Sequence, residues 1–201
     1  PMKVQATGAI PLPATGPAPR WAVGRLSAAR FVNSGGALWR MVTVTGTPVA
    51  PPLAQQNGLS LTKRLVSFTG GPVDPAGLRQ GDRVIVVVSG RSPQARTMSL
   101  VVDDPLPAGF EIETVLGADD AQNGPFRFLG TLSGADVQES RDDRYVAAMD
   151  LPGKSAFSFA YVARAVTPGE FLLPGAQARD MYRPALNART GAGRIAIAPG
   201  P

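Results

Sequence analysis

The chain has 201 residues and a formal net charge of +5, and it contains neither cysteine nor histidine. Those two absences exclude a disulfide, a thiolate nucleophile, a zinc site of the cysteine/histidine type and a serine–histidine–acid triad. With 44% hydrophobic and 17% charged residues the chain can build a core, and its length allows one good-sized domain plus part of another.

The arginines are spread along the chain from Arg20 to Arg194, and acidic residues interrupt them at 79–83 and at 141–144. A nucleic-acid-binding protein would gather such residues on one stripe or loop, so we predict no nucleic-acid partner. No run approaches the ~20 apolar residues that a membrane span needs, and we therefore predict no direct membrane insertion.

The first 50 residues predict a few strands of one domain. Residues 21–26 and 38–45 are typical of strands, and 33–36 form the turn between them. Residues 47–52 carry adjacent prolines, which stiffen a connection and cannot pair in a sheet, so this segment is the best linker candidate. We place the domain boundary here, with one domain over 1–50 and a second over 51–201.

Strand-like segments follow this linker. Residues 59–67 and 110–116 alternate between apolar and polar side chains, as in a strand with one core-facing side. Residues 84–88 are all β-branched and do not alternate, which predicts a central strand over 83–89 that is buried on both faces. Residues 97–102 are interpreted as its hairpin partner.

The pattern is lost over residues 117–136, where one helical turn and an irregular loop are both compatible with the sequence. It returns in 157–164, where Phe157, Phe159 and Tyr161 lie on one side. About seven to nine short strands without a long helical period predict an all-β fold, an antiparallel β-sandwich. The remaining strand candidates are 145–149, 171–173 and 194–198.

Charged side chains suggest no catalytic centre. Three pairs of adjacent acids could act in acid–base chemistry or hold calcium, but turn initiation and solvent exposure explain each pair better. Residues 141–144 are expected to form a local ion-pair cluster. Basic residues near strand ends are expected to discourage unwanted strand pairing. The acid pairs are Asp103 and Asp104, Asp119 and Asp120, and Asp142 and Asp143; the basic residues are Lys63, Arg64, Arg79 and Arg83.

Residues 180–184 place two large side chains, Met181 and Tyr182, in a loop near the end of the chain. Asp180 precedes them, and Arg183 and Pro184 follow. These two side chains could plug the open end of the sandwich, or they could be presented to a partner.

Five segments, in order, resemble the C-terminal macroglobulin-like domain of bacterial α2-macroglobulins. The resemblance extends over about residues 57–199, and the order and spacing of the segments make it specific. A further segment, 37–46, resembles the closing strands of the CUB-like domain that precedes this one in the family. The five matching segments are 57–63, 78–82, 104–111, 141–145 and 164–184.

The resemblance implies a macroglobulin-like β-sandwich that is not an enzyme, binds no cofactor or metal and belongs to a broad-spectrum protease trap. In this family a separate helical domain carries a thioester, which must stay away from water until a protease cuts the bait region. The C-terminal domain packs over that thioester, so Met181 and Tyr182, with Asp180 and Arg183, would form a shielding and docking loop. The thioester cannot lie in this chain, which has no cysteine.

The implied partners are the thioester and CUB-like domains of the same polypeptide and, through the parent protein, target proteases and a penicillin-binding peptidoglycan enzyme. The implied location is the bacterial periplasm, with a lipid anchor at the distant N-terminus of the parent. The alternative is a free-standing adhesion or carbohydrate-binding β-sandwich, for which Trp21 and Trp39 are the available tryptophans.

Overall fold

The structure, a computed structural model, describes residues 4–5, 27–28 and 50–200. The chain forms two compact units, residues 1–46 and 47–201. In the first unit, β1 (Val4–Gln5) and β2 (Ser27–Ala28) pair in parallel. Its predicted strands, its turn and both tryptophans lie outside the described residues, so the assignment of 1–50 to a CUB-like domain stays a prediction.

The second unit consists mainly of short strands. Its only α-helix within residues 50–200, α1, has five residues, and no helix in that range is long and apolar enough to cross a membrane. The elements are β3 (Gln55–Asn57), β4 (Ser60–Val66), β5 (Leu78–Arg79), β6 (Arg83–Arg91), β7 (Met98–Pro105), β8 (Phe110–Leu116), α1 (Ala118–Gln122), a 3-10 turn (Arg127–Leu129), β9 (Val137–Ser140), β10 (Arg144–Leu151), β11 (Ala156–Ala165), β12 (Gly169–Leu173), β13 (Gln177–Asp180), β14 (Asn187–Arg189) and β15 (Gly193–Ala198).

These strands form three sheets in the second unit. The largest has the order β3-β14-β13-β7-β10-β9, the next β4-β6-β11-β8 and the smallest β12-β15-β5. All named strand pairs of the second unit are antiparallel except β15 with β5. The predicted all-β, antiparallel sandwich is therefore confirmed.

The main core lies between the six-stranded and four-stranded sheets. Alternating residues of β7, namely Met98, Leu100 and Val102, are fully buried, and Phe159 and Tyr161 of β11 pack in the same cluster. The period of two in these strands thus separates the core face from the outer face, as the sequence predicts.

Part of the outer face of the four-stranded sheet is buried as well. Ile85 and Val87 of β6 and Val162 of β11 pack in a second cluster with residues from the 117–132 segment. That segment, whose conformation the sequence left open, contains α1 and the 3-10 turn. Strand β6 lies between β4 and β11 and is covered on both sides, which confirms the prediction of a central, doubly buried strand.

One pairing prediction is wrong. Residues 97–102 do not form a hairpin with β6, because β7 lies in the other sheet between β13 and β10. Both edges of β6 are already occupied by β4 and β11, so the chain after β6 crosses the sandwich.

The sandwich encloses a buried polar group that joins its two main sheets. Asp104 of β7 is completely buried, and its Oδ1 lies 2.6 Å from Nζ of Lys63 on β4. The hydroxyl of Tyr161 on β11 donates to Asp104 Oδ2 at 2.8 Å. Lys63 Nζ also donates to the Pro174 carbonyl at 3.2 Å. The prediction of solvent exposure is therefore wrong for Asp104. The prediction that Lys63 discourages strand pairing at an edge is also wrong, because its side chain points inward.

The other acidic pairs agree with the prediction of turns and exposure. Asp142 and Asp143 are exposed, and Asp143 pairs with Arg144 at 2.9 Å in the expected local ion-pair cluster. The hydrogen bond from Arg144 lowers the pKa of Asp143 below its usual range. Asp120 accepts from the Gly117 amide at 2.8 Å and so caps α1. Such exposed pairs add little to stability.

Burial raises the pKa of Asp104, although the ammonium of Lys63 and the hydrogen bonds from Lys63 and Tyr161 act in the opposite direction. Because the folded state holds this proton more tightly than the unfolded chain, the contribution of Asp104 to stability is full below the unfolded pKa near 3.8 and falls as the pH rises through the folded pKa. Acidification therefore does not release Asp104 from the core.

We predict that Lys63→Met lowers the free energy of unfolding by about 3–5 kcal/mol, because it leaves the Asp104 carboxylate buried without its counter-charge. Urea denaturation of the 201-residue chain at pH 7 measures this. The matched control is the triple variant Lys63→Met, Asp104→Leu and Tyr161→Phe, which removes all three polar groups and should recover most of the loss. A Lys63→Met variant with the wild-type urea midpoint would contradict the prediction.

Candidate functional site

Residues 181–186 connect β13 to β14 at one end of the six-stranded sheet, and we refer to them as the 181–186 loop. The chain reaches this loop through β13, which pairs with β7 on one side and with β14 on the other. Pro174 and Gly175 separate β13 from β12, as the sequence indicates. The loop therefore starts from an inner strand of a large sheet.

Asp180 holds the start of the loop. Its side chain is almost completely buried, and Oδ1 accepts from the amides of Tyr182 and Arg183, both at 2.9 Å. Oδ2 accepts from Arg183 Nε at 2.9 Å, and Arg183 Nη2 reaches both Oδ2 and the Thr97 carbonyl. One carboxylate thus fixes two successive residues, Tyr182 and Arg183, which is a use that aspartate often has at turns.

The rest of the loop is tied by main-chain contacts. The Met181 amide donates to the Ser99 carbonyl at 2.8 Å, and the Leu186 amide donates to the Arg183 carbonyl at 2.8 Å. Asn57 Nδ2 donates to the Ala185 carbonyl at 2.7 Å. These bonds leave the loop little freedom of movement.

Gly58 makes room for the loop from the β3–β4 connection. Its φ of 66° is unfavourable for other residues, and a Cβ at Gly58 would lie 2.6 Å from Leu186 Cδ2. Sequence reasoning did not assign Asn57, Gly58 or Ser99 to this site. The pair Asn57–Gly58 predicts a turn, but its contact with a loop about 130 residues later has no sequence signal.

The loop presents two large apolar side chains to solvent. The exposed fraction is 49% for Met181 and 81% for Tyr182. Exposure of this extent does not fit side chains that plug the end of the sandwich. The 181–186 loop thus combines a backbone that is fixed by Asp180 with a tip, Met181 and Tyr182, that exposes apolar surface.

The hydrogen bonds to Asp180 lower the pKa of its carboxyl group. Burial alone would raise the pKa of Asp180, but hydrogen bonds from the Arg183 guanidinium and from the Tyr182 and Arg183 amides outweigh it, and the pKa lies below its usual range. Asp180 is therefore ionised near neutral pH and keeps its pairing with Arg183.

A groove of about 540 Å³ lies on the outer face of the four-stranded sheet. Its lining is rich in hydroxyl groups, and the hydroxyls of Thr62 and Ser89 lie 3.0 Å apart. The only aromatic residue in this lining, Phe157, is 2% exposed, so the groove offers no stacking surface for a sugar. Among the described residues, no three acidic side chains come together as a metal site would require.

Residues 58–185 match the family model described as Bacterial Alpha-2-macroglobulin MG10 domain. Alpha-2-macroglobulin of Xylella fastidiosa is 38% identical over 178 residues, or 84% of this chain and 10% of the relative. That of Escherichia coli is 34% identical over 169 residues, or 80% of this chain and 10% of the relative.

Solved structures agree. Salmonella alpha-2-macroglobulin reacted with methylamine superposes with a TM-score of 0.66 at 30% identity, covering 77% of this chain and 10% of that chain. Native Escherichia coli alpha-2-macroglobulin gives a TM-score of 0.67 at 28% identity with the same coverage.

The chain thus spans about a tenth of the length of these relatives. The family model covers well over half of the chain, and the fold agrees with the solved relatives. The chain therefore belongs to the bacterial alpha-2-macroglobulin family and contains its MG10 domain.

Proposed function

We propose that the β-sandwich of residues 51–201 is a non-catalytic domain that docks on the thioester domain of its parent alpha-2-macroglobulin and shields the thioester through Met181 and Tyr182. The observation that carries this proposal is the exposure of both side chains on a loop whose backbone is fixed by Asp180. A rigid apolar tip can cover a reactive group without a large loss of conformational entropy on docking.

The two exposed side chains suit a water-excluding contact. A thioester is an activated acyl group that water and small amines attack, so covering it with apolar atoms slows both reactions. The thioether of Met181 is apolar and adaptable and carries no strongly nucleophilic atom. The Tyr182 ring provides a large surface with few rotatable bonds.

The parent would then act as a broad-spectrum protease trap, in line with relatives from Escherichia coli whose structures are of protein activated by porcine elastase or by trypsin. We place this parent in the bacterial periplasm, held by a lipid anchor, with a penicillin-binding peptidoglycan enzyme as a partner. A free-standing carbohydrate-binding role has less support, because the hydroxyl-lined groove lacks an exposed aromatic ring.

We predict that Met181→Ala in the full-length parent speeds inactivation of the thioester by methylamine several-fold, because a smaller side chain admits the amine. Samples are taken at intervals during incubation in methylamine and are then treated with protease. The decline with time in the free thiol that protease releases measures the rate. Leu172→Ala is the control, since Leu172 is equally exposed at 52% but lies on β12. Equal rates for Met181→Ala, Leu172→Ala and wild type would argue against the shielding role.

We predict that Asp180→Asn also speeds the methylamine reaction, although Met181 and Tyr182 remain, because the loop loses the charge that holds Arg183. In the 201-residue chain the substitution should lower the free energy of unfolding by about 1–3 kcal/mol, because hydrogen bonds to a charged group are lost. Urea denaturation measures the loss, and Asp142→Asn, an exposed site, is the control.

The decrease in the free energy of unfolding that Asp180→Asn causes should depend on pH. Because the folded-state pKa of Asp180 is lowered, its stabilising contribution is present above the unfolded pKa near 3.8 and disappears as the pH falls through the folded pKa. The difference between wild type and Asp180→Asn should therefore shrink below about pH 4. A difference that stays constant from pH 7 to pH 2 would exclude the charge of Asp180 as its cause.

A further inference from the structure

The buried contact between Lys63 and Asp104 brings an amine and a carboxyl group within reach of a covalent bond. Lys63 Nζ lies 2.6 Å from Asp104 Oδ1, and the exposed fractions of the two side chains are 7% and 0%. A contact of that length places Nζ roughly 3–3.5 Å from the carboxyl carbon Cγ, which is the separation of reacting atoms in a near-attack geometry. The two residues are 41 positions apart and belong to different sheets, so a bond between them would join the sheets.

The surroundings of the pair favour its uncharged form. Tyr161, which contacts Asp104, stacks on Tyr145 with the ring centroids 5.0 Å apart, and both tyrosines are buried. Charges in such surroundings have lost their hydration. Burial raises the pKa of Asp104, which reduces the cost of moving a proton from the Lys63 ammonium to Oδ1. The transfer leaves Lys63 as a neutral amine, which is the nucleophilic form of lysine.

The other polar partners of the pair fit both an amine and an amide. A neutral amine keeps two N–H groups, and two carbonyls accept from Nζ, that of Pro174 at 3.2 Å and that of Pro105 at 3.5 Å. The Tyr161 hydroxyl donates to the second carboxyl oxygen of Asp104, Oδ2, at 2.8 Å. An amide would keep one N–H for the Pro174 carbonyl and one oxygen, the former Oδ2, for the Tyr161 hydroxyl. Its buried polar atoms would therefore all have partners.

The Tyr161 hydroxyl is suited to act as a donor during the reaction. Burial raises its pKa well above the usual value, and the neighbouring Asp104 carboxylate adds to the rise, so the hydroxyl keeps its proton. A donor that is already in place stabilises negative charge that develops on the oxygen it contacts. That oxygen is Oδ2 of Asp104.

We propose that Lys63 and Asp104 form an intramolecular isopeptide bond that links β4 to β7. Nζ attacks Cγ and forms the C–N bond, while negative charge develops on Oδ2 next to the Tyr161 hydroxyl. The Cγ–Oδ1 bond then breaks, and Oδ1 leaves as water with the proton that it received and a second proton from Nζ. This condensation needs no oxidant, reductant or second substrate. The contact in the structure is its state before the bond forms.

Such a bond would do for this domain what a disulfide does elsewhere, and the chain has no cysteine to form a disulfide. A cross-link between residues 41 positions apart restricts the unfolded chain and keeps the two main sheets together. The inference does not rest on the shielding role of Met181 and Tyr182.

Mass spectrometry of the full-length parent tests the bond. After denaturation and digestion with trypsin, the peptides 41–64 and 97–127 should appear as one linked species that is lighter than their sum by one water molecule. Fragmentation should place the link at Lys63 and Asp104, and trypsin should not cleave after Lys63. Two separate peptides of full mass, with cleavage after Lys63, would overturn the proposal.

Lys63→Arg is the matched control, because it keeps a positive charge beside Asp104 but has no nucleophilic amine. It should give separate peptides. Loss of one water from the same peptides in Lys63→Arg would overturn the proposal, since it would arise from another dehydration. Tyr161→Phe should slow the appearance of the linked species after synthesis on the order of a hundredfold, as for loss of one oxyanion donor. An unchanged rate in Tyr161→Phe would overturn the role of that hydroxyl.

Discussion

The five residues from Val84 to Val88 have no polar face, and this constraint organises the sandwich. A strand without a polar side must be covered on both sides. The six-stranded sheet covers one side of β6, and the segment with α1 and the 3-10 turn covers the other. Strands β4 and β11 occupy both edges of β6, so the chain must cross to the other sheet through the β6–β7 loop. That crossing brings Thr97 and Ser99 next to the 181–186 loop.

At two places in this domain the usual distribution of buried apolar and exposed charged side chains is reversed. Lys63 and Asp104 are charged and buried, while Met181 and Tyr182 are largely apolar and exposed. The buried pair is tolerated because each charged atom has a partner within the core. The exposed pair is held in place by Asp180, itself a buried carboxylate with an arginine beside it. In both cases a fully partnered carboxylate fixes the position of strands or loops that are distant in sequence.

The proposed shielding contact depends on the exposed apolar surface of Met181 and Tyr182. Apolar contact depends on area and excludes water, but it is not directional. The loop that carries these side chains starts from β13 and is hydrogen-bonded to β7 and β3.

The sequence by itself determined the all-β class, most strand positions and the doubly buried β6, because strand periodicity and turn residues are local signals. It also indicated that Met181 and Tyr182 lie in a loop after Asp180. The tertiary structure decided which strands pair within each sheet, the inward direction of Lys63 and Asp104, and the contact of the 181–186 loop with the β6–β7 loop. These features join residues separated by tens of positions, and their energies depend on burial and contact geometry, which no local pattern contains.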